Sequence, residues 1–144
     1  MKIKVLIILV IVFIVIQFIP VERTNPTSKP EDEIVVAGEI KQILERSCYD
    51  CHSNNTEWPT YSSVAPVSWL IASHVDDARK DMNFTEWNSY TERKKFKLRE
   101  EMIEELEEEG MPLPPYLILH SEAELSAADR QVLLNWLKES STNK

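Results

Sequence analysis

Apolar positions along the chain fall into one unbroken block followed by scattered groups at helical spacing. From Val5 to Ile19 every residue except Gln17 is apolar, with Lys2 and Lys4 before the block and Pro20, Glu22 and Arg23 after it. A cleaved signal peptide shares the basic start and the apolar stretch, but needs a small-residue cleavage site. Phe18, Ile19, Pro20 and Val21 offer none, and no cysteine follows for lipid attachment. Residues 1–21 therefore read as an uncleaved membrane anchor, near the lower limit of about 17–25 residues for a spanning helix. Lys2 and Lys4 place its N-terminus in the cytoplasm under the positive-inside rule. The rest of the chain is then expected on the periplasmic, extracytoplasmic side of a bacterial inner membrane. Residues 22–34, with two prolines between Glu22 and Asp32, read as a linker.

Beyond the linker no stretch alternates as a strand does, and apolar residues recur at three- and four-residue intervals. A first helix is expected from Val36 to Cys48, with Ile40, Ile43 and Leu44 on one face. A polar loop from Ser53 to about Ser63 follows. Pro66 suits the first turn of a second helix, whose apolar face is Val67, Leu70, Ile71, His74, Val75 and Ala78 and which ends near Met82. A third helix runs from near Thr91 to Gly110, with Ser89 and Glu92 at capping-box spacing and Phe96, Arg99, Ile103 and Leu106 as its stripe. Gly110 is expected in the left-handed conformation that ends a helix. Met111 to Pro115 is stiff and extended. Ser121 with Glu124, and Ser126 with Asp129, repeat the capping-box spacing, and Val132, Leu133, Trp136 and Leu137 mark the last helix. The fold class is all-α: a small bundle of four or five helices over residues 35–140, with a short tail at 141–144.

Composition narrows the chemistry. Two glycines in 144 residues leave no phosphate-cradling loop or dinucleotide turn, so no nucleotide is expected. A net charge of −8 argues against nucleic acid. Of the 16 basic residues two are Lys2 and Lys4, so 14 face 24 acidic ones beyond the anchor, a net −10. Such a surface attracts a basic partner, although acidity serves solubility equally well. The third helix places Arg93, Lys94, Lys95 and Lys97 at its start and seven glutamates from Glu100 to Glu109 at its end, against the helix dipole.

The only two cysteines belong to Cys48-Tyr49-Asp50-Cys51-His52, the C-x-x-C-H spacing of c-type haem attachment. Positions i, i+3 and i+4 share one helical face. Both thiols can thus meet the haem vinyl groups while His52 meets the iron as proximal ligand. A redox C-x-x-C is expected beside a βαβ pattern, which is missing. A zinc site would have to recruit His74 and His120 at spacings unlike a compact zinc module. For the sixth ligand the candidates are Met82, Met102, Met111, His74 and His120. Met111 is preferred because it sits in a loop stiffened by Pro112, Pro114 and Pro115. Met82 and Met102 read as core fillers, leaving His74 and His120 as the alternatives. Trp58, Tyr61 and Trp69 are candidates for the apolar wall of a haem pocket.

The helix ending in C-x-x-C-H, the Met-Pro loop and the closing Leu-Ser-Ala-Ala-Asp helix resemble mono-haem cytochromes c. The run from Cys48 to Val75, then Asn83 to Trp87, Met111 to His120 and Leu125 to Asp129 resembles the bacterial haem-binding-domain family of small membrane-anchored cytochrome-c-like proteins. The resemblance covers about Ala37 to Leu137 and implies a single covalent haem c, its iron held by this chain, in an extracytoplasmic location. The favoured reading is a membrane-tethered one-electron carrier with His52 and Met111 on the iron and a redox protein as partner. The alternative is a haem peroxidase or a gas or redox sensor with an open or labile sixth position, in which His74 or His120 serves as distal acid–base group. A third is a purely structural haem.

Overall fold

The structure, a computed structural model, describes residues 2–142. It is all-helical, as the spacing predicted, with no strand among the described residues. Seven α-helices follow in order: α1 (Lys2–Ile16), α2 (Gly38–Ser47), α3 (Tyr49–His52), α4 (Val67–Asp81), α5 (Glu92–Glu107), α6 (Pro114–Leu117) and α7 (Ala127–Thr142). Of the expected tail, residues 143–144 lie outside the described residues.

The N-terminal block does form a helix, but not a membrane span. α1 has 15 residues and at 1.5 Å per residue reaches about 22 Å, against about 30 Å of bilayer hydrocarbon. Among the described residues no helix is long and apolar enough to cross a membrane. The helix tightens into three-residue turns after Ile16, just before Pro20, and there the Gln17 amide reaches the domain. It donates to the Ala65 carbonyl (3.1 Å) and accepts from the Ala65 N–H (2.9 Å). The expectation of a spanning anchor over 1–21 is corrected accordingly. The inner-membrane placement, with N-terminus inside and domain outside, rested on that span and falls with it.

The segment after α1 is strapped to the domain. Arg23 donates to Ser62 and Ser63, and Asn25 donates to the Thr56 carbonyl. Ile34 is buried, and its N–H meets the Phe84 carbonyl.

α2 begins at Gly38, whose φ of +38° lies where a side chain is strained. It packs on α3 and α7, while α5 lies along α7 and α4 lies against α3. Leu44, Phe84, Leu133 and Leu137 are fully enclosed, joined by Tyr49, Trp87, Leu98 and Leu106 in one core. The four predicted helix spans are close to those observed, but the segment expected to be extended from Met111 to Pro115 instead enters α6 at Pro114, where the first turn tolerates proline, and two faces differ. In α4 the buried residues are Ser68 and Val75; Val67, Leu70 and His74 are exposed. In α5 Leu98 is buried, whereas Phe96 is 40% exposed.

The caps differ too. Thr91, not Ser89, caps α5 by accepting from the Lys94 N–H. Ser121 starts a 3₁₀ turn (Ser121–Ala123) without a side-chain cap. Glu109, not Gly110, takes the left-handed conformation, at φ 57°. Only Ser126 and Asp129 form the reciprocal pair the spacing predicted: the Asp129 N–H donates to Ser126 Oγ (3.1 Å) and the Ser126 N–H to Asp129 Oδ2 (3.0 Å).

Candidate functional site

The site is built on the junction between α2 and α3. The last turn of α2 closes with Cys48 N–H on the Leu44 carbonyl (2.9 Å), and Cys48 itself bends to φ −130°, ψ −33°. The chain then re-enters one helical turn, with His52 N–H (2.9 Å) and Cys51 N–H (3.2 Å) both on the Cys48 carbonyl. Cys48, Cys51 and His52 are thereby held on a single turn, and the first helix ends at Ser47, one residue before the expected Cys48.

Each residue between and after the cysteines is fixed. Tyr49 stacks on Phe84 at 5.4 Å and its hydroxyl donates to Glu33 Oε1 (3.0 Å). The Asp50 carbonyl accepts from Thr56 Oγ1 (2.7 Å), and Asp50 Oδ1 accepts from the Glu57 N–H (3.0 Å). Arg79 donates to the Ser53 carbonyl (2.7 Å), Thr56 Oγ1 (2.7 Å), the Thr24 carbonyl (2.8 Å) and Asn25 Oδ1 (3.0 Å). One guanidinium thus ties the loop after the motif to the N-terminal strap. Behind it, Asn54, Asn83 and Thr85 form a buried network of amide and hydroxyl hydrogen bonds.

His52 is oriented by the end of α4. Its Nδ1 lies 3.1 Å from both the Ala78 and the Met82 carbonyl oxygens. Carbonyls only accept, so Nδ1 carries the proton and Nε2 keeps a free lone pair. Burial pushes the imidazole below its ordinary value of 6.5, partly offset by those two carbonyls. It is therefore a neutral ring, the form that binds metals. Burial also raises the thiols, Cys48 to about 12 and Cys51 to about 11. Both thiols are free. Among the described residues no three His, Cys, Asp or Glu side chains are placed to hold a metal ion together, and His74 is exposed on α4.

The segment after Met111 folds back onto the motif. Met111 is half-buried between α5 and α6. Five residues on, the Tyr116 hydroxyl donates to Asp50 Oδ2 (2.7 Å). Tyr116 stacks on His120, with ring centres 4.2 Å apart and planes 8° apart. His120 Nδ1 donates to Glu122 Oε1 (3.2 Å), and His120 Nε2 is hydrogen-bonded with the Tyr61 hydroxyl. Both nitrogens of His120 are thus engaged. Of the other predicted residues, Met82 is core and Met102 packs beside it. Trp58 is half-buried, with its N–H on Asn25 and its ring under Arg79. Trp69 is half-buried on α4, with Nε1 enclosed and without a partner. Tyr61 thus joins Tyr116, His120 and Asp50, while Trp58 faces the strap.

The family model described as a haem-binding domain matches residues 11–139. The chain belongs to the haem-binding-domain family. No curated protein and no solved structure matches it. Within the haem-binding domain, two thiols and an imidazole with an open Nε2 on one turn form a donor set that fits a haem. Sequence reasoning did not reach the Ala78 and Met82 carbonyls, Arg79, Asp50 or Tyr116. Backbone acceptors leave no trace in residue type, and Asp50 occupies a variable position of the motif.

Proposed function

We propose that this haem-binding chain is a one-electron carrier of the cytochrome c kind, holding one haem through Cys48 and Cys51 and its iron between His52 and Met111. The observation that carries the reading is the paired acceptance of the His52 Nδ1 proton by the Ala78 and Met82 carbonyls. It orients the ring, fixes the tautomer and makes Nε2 more basic, as outer-shell partners of ligating histidines do. The Cys48 and Cys51 thiols, held on one turn, would each bind a haem vinyl group, sulfur to one carbon and hydrogen to the other. Bound haem supplies one-electron redox chemistry. Met111 would supply the second iron ligand, which would exclude substrate from the metal and raise the reduction potential relative to two histidines. The engagement of both His120 nitrogens and the exposure of His74 favour Met111 over either histidine. The reading includes a redox partner protein with a basic docking face, suited to the net charge of −8.

The test is the absorption spectrum of protein matured in a host that makes c-type cytochromes, taken oxidised, reduced, and reduced under carbon monoxide. Low-spin iron with a methionine-to-ferric band, indifferent to carbon monoxide, is expected. Cys48→Ala with Cys51→Ala should leave no haem on the denatured chain. A high-spin ferric form or ready carbon monoxide binding would rule out the carrier and favour a peroxidase or sensor.

A further inference from the structure

The haem-attachment turn and the Met111 loop are joined through one side-chain pair. Met111 to Pro115 contains three prolines and so few accessible conformations. A stiff segment positions a residue only if both of its ends are held. On the α5 side the Gly110 N–H is held by the Glu105 carbonyl (2.9 Å). On the other side α6 is a single turn, closed by the Tyr116 N–H on the Leu113 carbonyl (2.9 Å). Its anchor is the Tyr116 hydroxyl on Asp50 Oδ2. Asp50 lies between the two cysteines, and its second oxygen is bound by the Glu57 N–H, so its carboxylate is fixed from both sides. Burial and the Asp50 carboxylate push the Tyr116 phenol above its ordinary value of 10, and it stays a donor at neutral pH.

We propose that Tyr116 and Asp50 form a latch that holds Met111 at the iron, Tyr116 acting as a positioning residue for the sixth ligand. The proposal rests on the Met111 reading above. A hydrogen bond to a charged group is worth about 1.5–3 kcal/mol, so the loss of the latch should favour the open loop by about tenfold or more.

The experiment compares haem-loaded parent protein with Tyr116→Phe, Asp50→Ala and the double variant, using imidazole as the competing ligand. Tyr116→Phe keeps the ring on His120 and removes only the hydroxyl. It should bind imidazole about tenfold more tightly, weaken the methionine–iron band and speed amide exchange across residues 111–119. Asp50→Ala also frees the Glu57 N–H, a loss that cancels in the double-mutant cycle. The double variant should therefore bind imidazole no more tightly than Asp50→Ala alone. If Asp50→Ala fails to retain haem, Tyr116→Phe decides. An intact band with imidazole affinity within about twofold of the parent would overturn the latch and leave Met111 as ligand. A parent spectrum without the methionine band, or one unchanged by Met111→Ala, would overturn both.

Discussion

At Glu109 the backbone takes a conformation its side chain disfavours. Its φ of 57° costs a residue with a Cβ roughly 1–2 kcal/mol relative to the right-handed region. Glycine removes that strain but loses more entropy on folding. The Glu109–Arg130 pair, 3.8 Å apart and with Glu109 exposed, adds little. Glu109→Gly should therefore stabilise the domain by about 0.5–1 kcal/mol, read as a higher urea midpoint at unchanged slope; a lower midpoint would contradict this account. The Ser126–Asp129 cap makes the opposite case. Ser126→Ala should cost about 1 kcal/mol. The Ser126 hydroxyl and N–H, then Arg46, hold the Asp129 carboxyl below its ordinary 3.8. A depressed carboxyl stabilises the fold above its unfolded value, and that help is lost as pH falls through the folded value. The stability gap between the parent and Ser126→Ala should accordingly narrow as pH falls below about 3.8 but not close, because the Asp129 N–H still needs Ser126 Oγ as its acceptor.

At the scale of elements, what was legible in the sequence is what side chains write locally. The spans of α2, α4, α5 and α7 follow from apolar recurrence, and the Ser126–Asp129 start of α7 from one polar pair. The face α4 buries was only partly legible: Val75 is buried as its place in the stripe predicted, but with α3 and the 3₁₀ turn Thr60–Ser63 against the helix Ser68 is buried as well, while Val67 and Leu70 are exposed. Of the candidate site, Cys48, Cys51 and His52 could be read from spacing alone. The Ala78 and Met82 carbonyls that orient His52 and the fold-back of Tyr116 depend on tertiary placement, which spacing does not encode. The strap before α2 was also hidden, since its polar composition reads as linker while Arg79 binds it from 55 residues away. Arg79→Ala removes four hydrogen bonds at once. It should speed limited proteolysis between residues 22 and 33 several-fold, because opening that segment then costs less free energy. Cleavage at the parent rate would mean that Arg23, Asn25 and Ile34 hold the strap without it.

On the scale of the whole molecule, negative charge prevails. The chain carries 24 acidic against 16 basic residues, and the C-terminal half of α5 gathers Glu100, Glu101, Glu104, Glu105 and Glu107. Some of this charge is offset locally, Glu101 by Lys97 at 2.7 Å and Glu107 by Lys138 at 2.9 Å. Exposed pairs of this kind neutralise a patch without adding much stability. The remaining field extends over about 10 Å at 0.1 M salt, far enough to steer an approaching partner. If the carrier reading holds, electron exchange with a small cationic reagent such as hexaammineruthenium should slow as salt rises. Exchange with anionic hexacyanoferrate should quicken under the same change, because screening removes repulsion. Equal slopes of one sign for both reagents would show that net charge does not govern access. Replacing Glu100, Glu104 and Glu108 with lysine separates a local field from a global one. Against the neutralisation of an equal charge elsewhere, an extra flattening of the ruthenium slope would place α5 beside the point of electron exit. No extra flattening would leave α5 as a solvated face whose acidity acts only through the total.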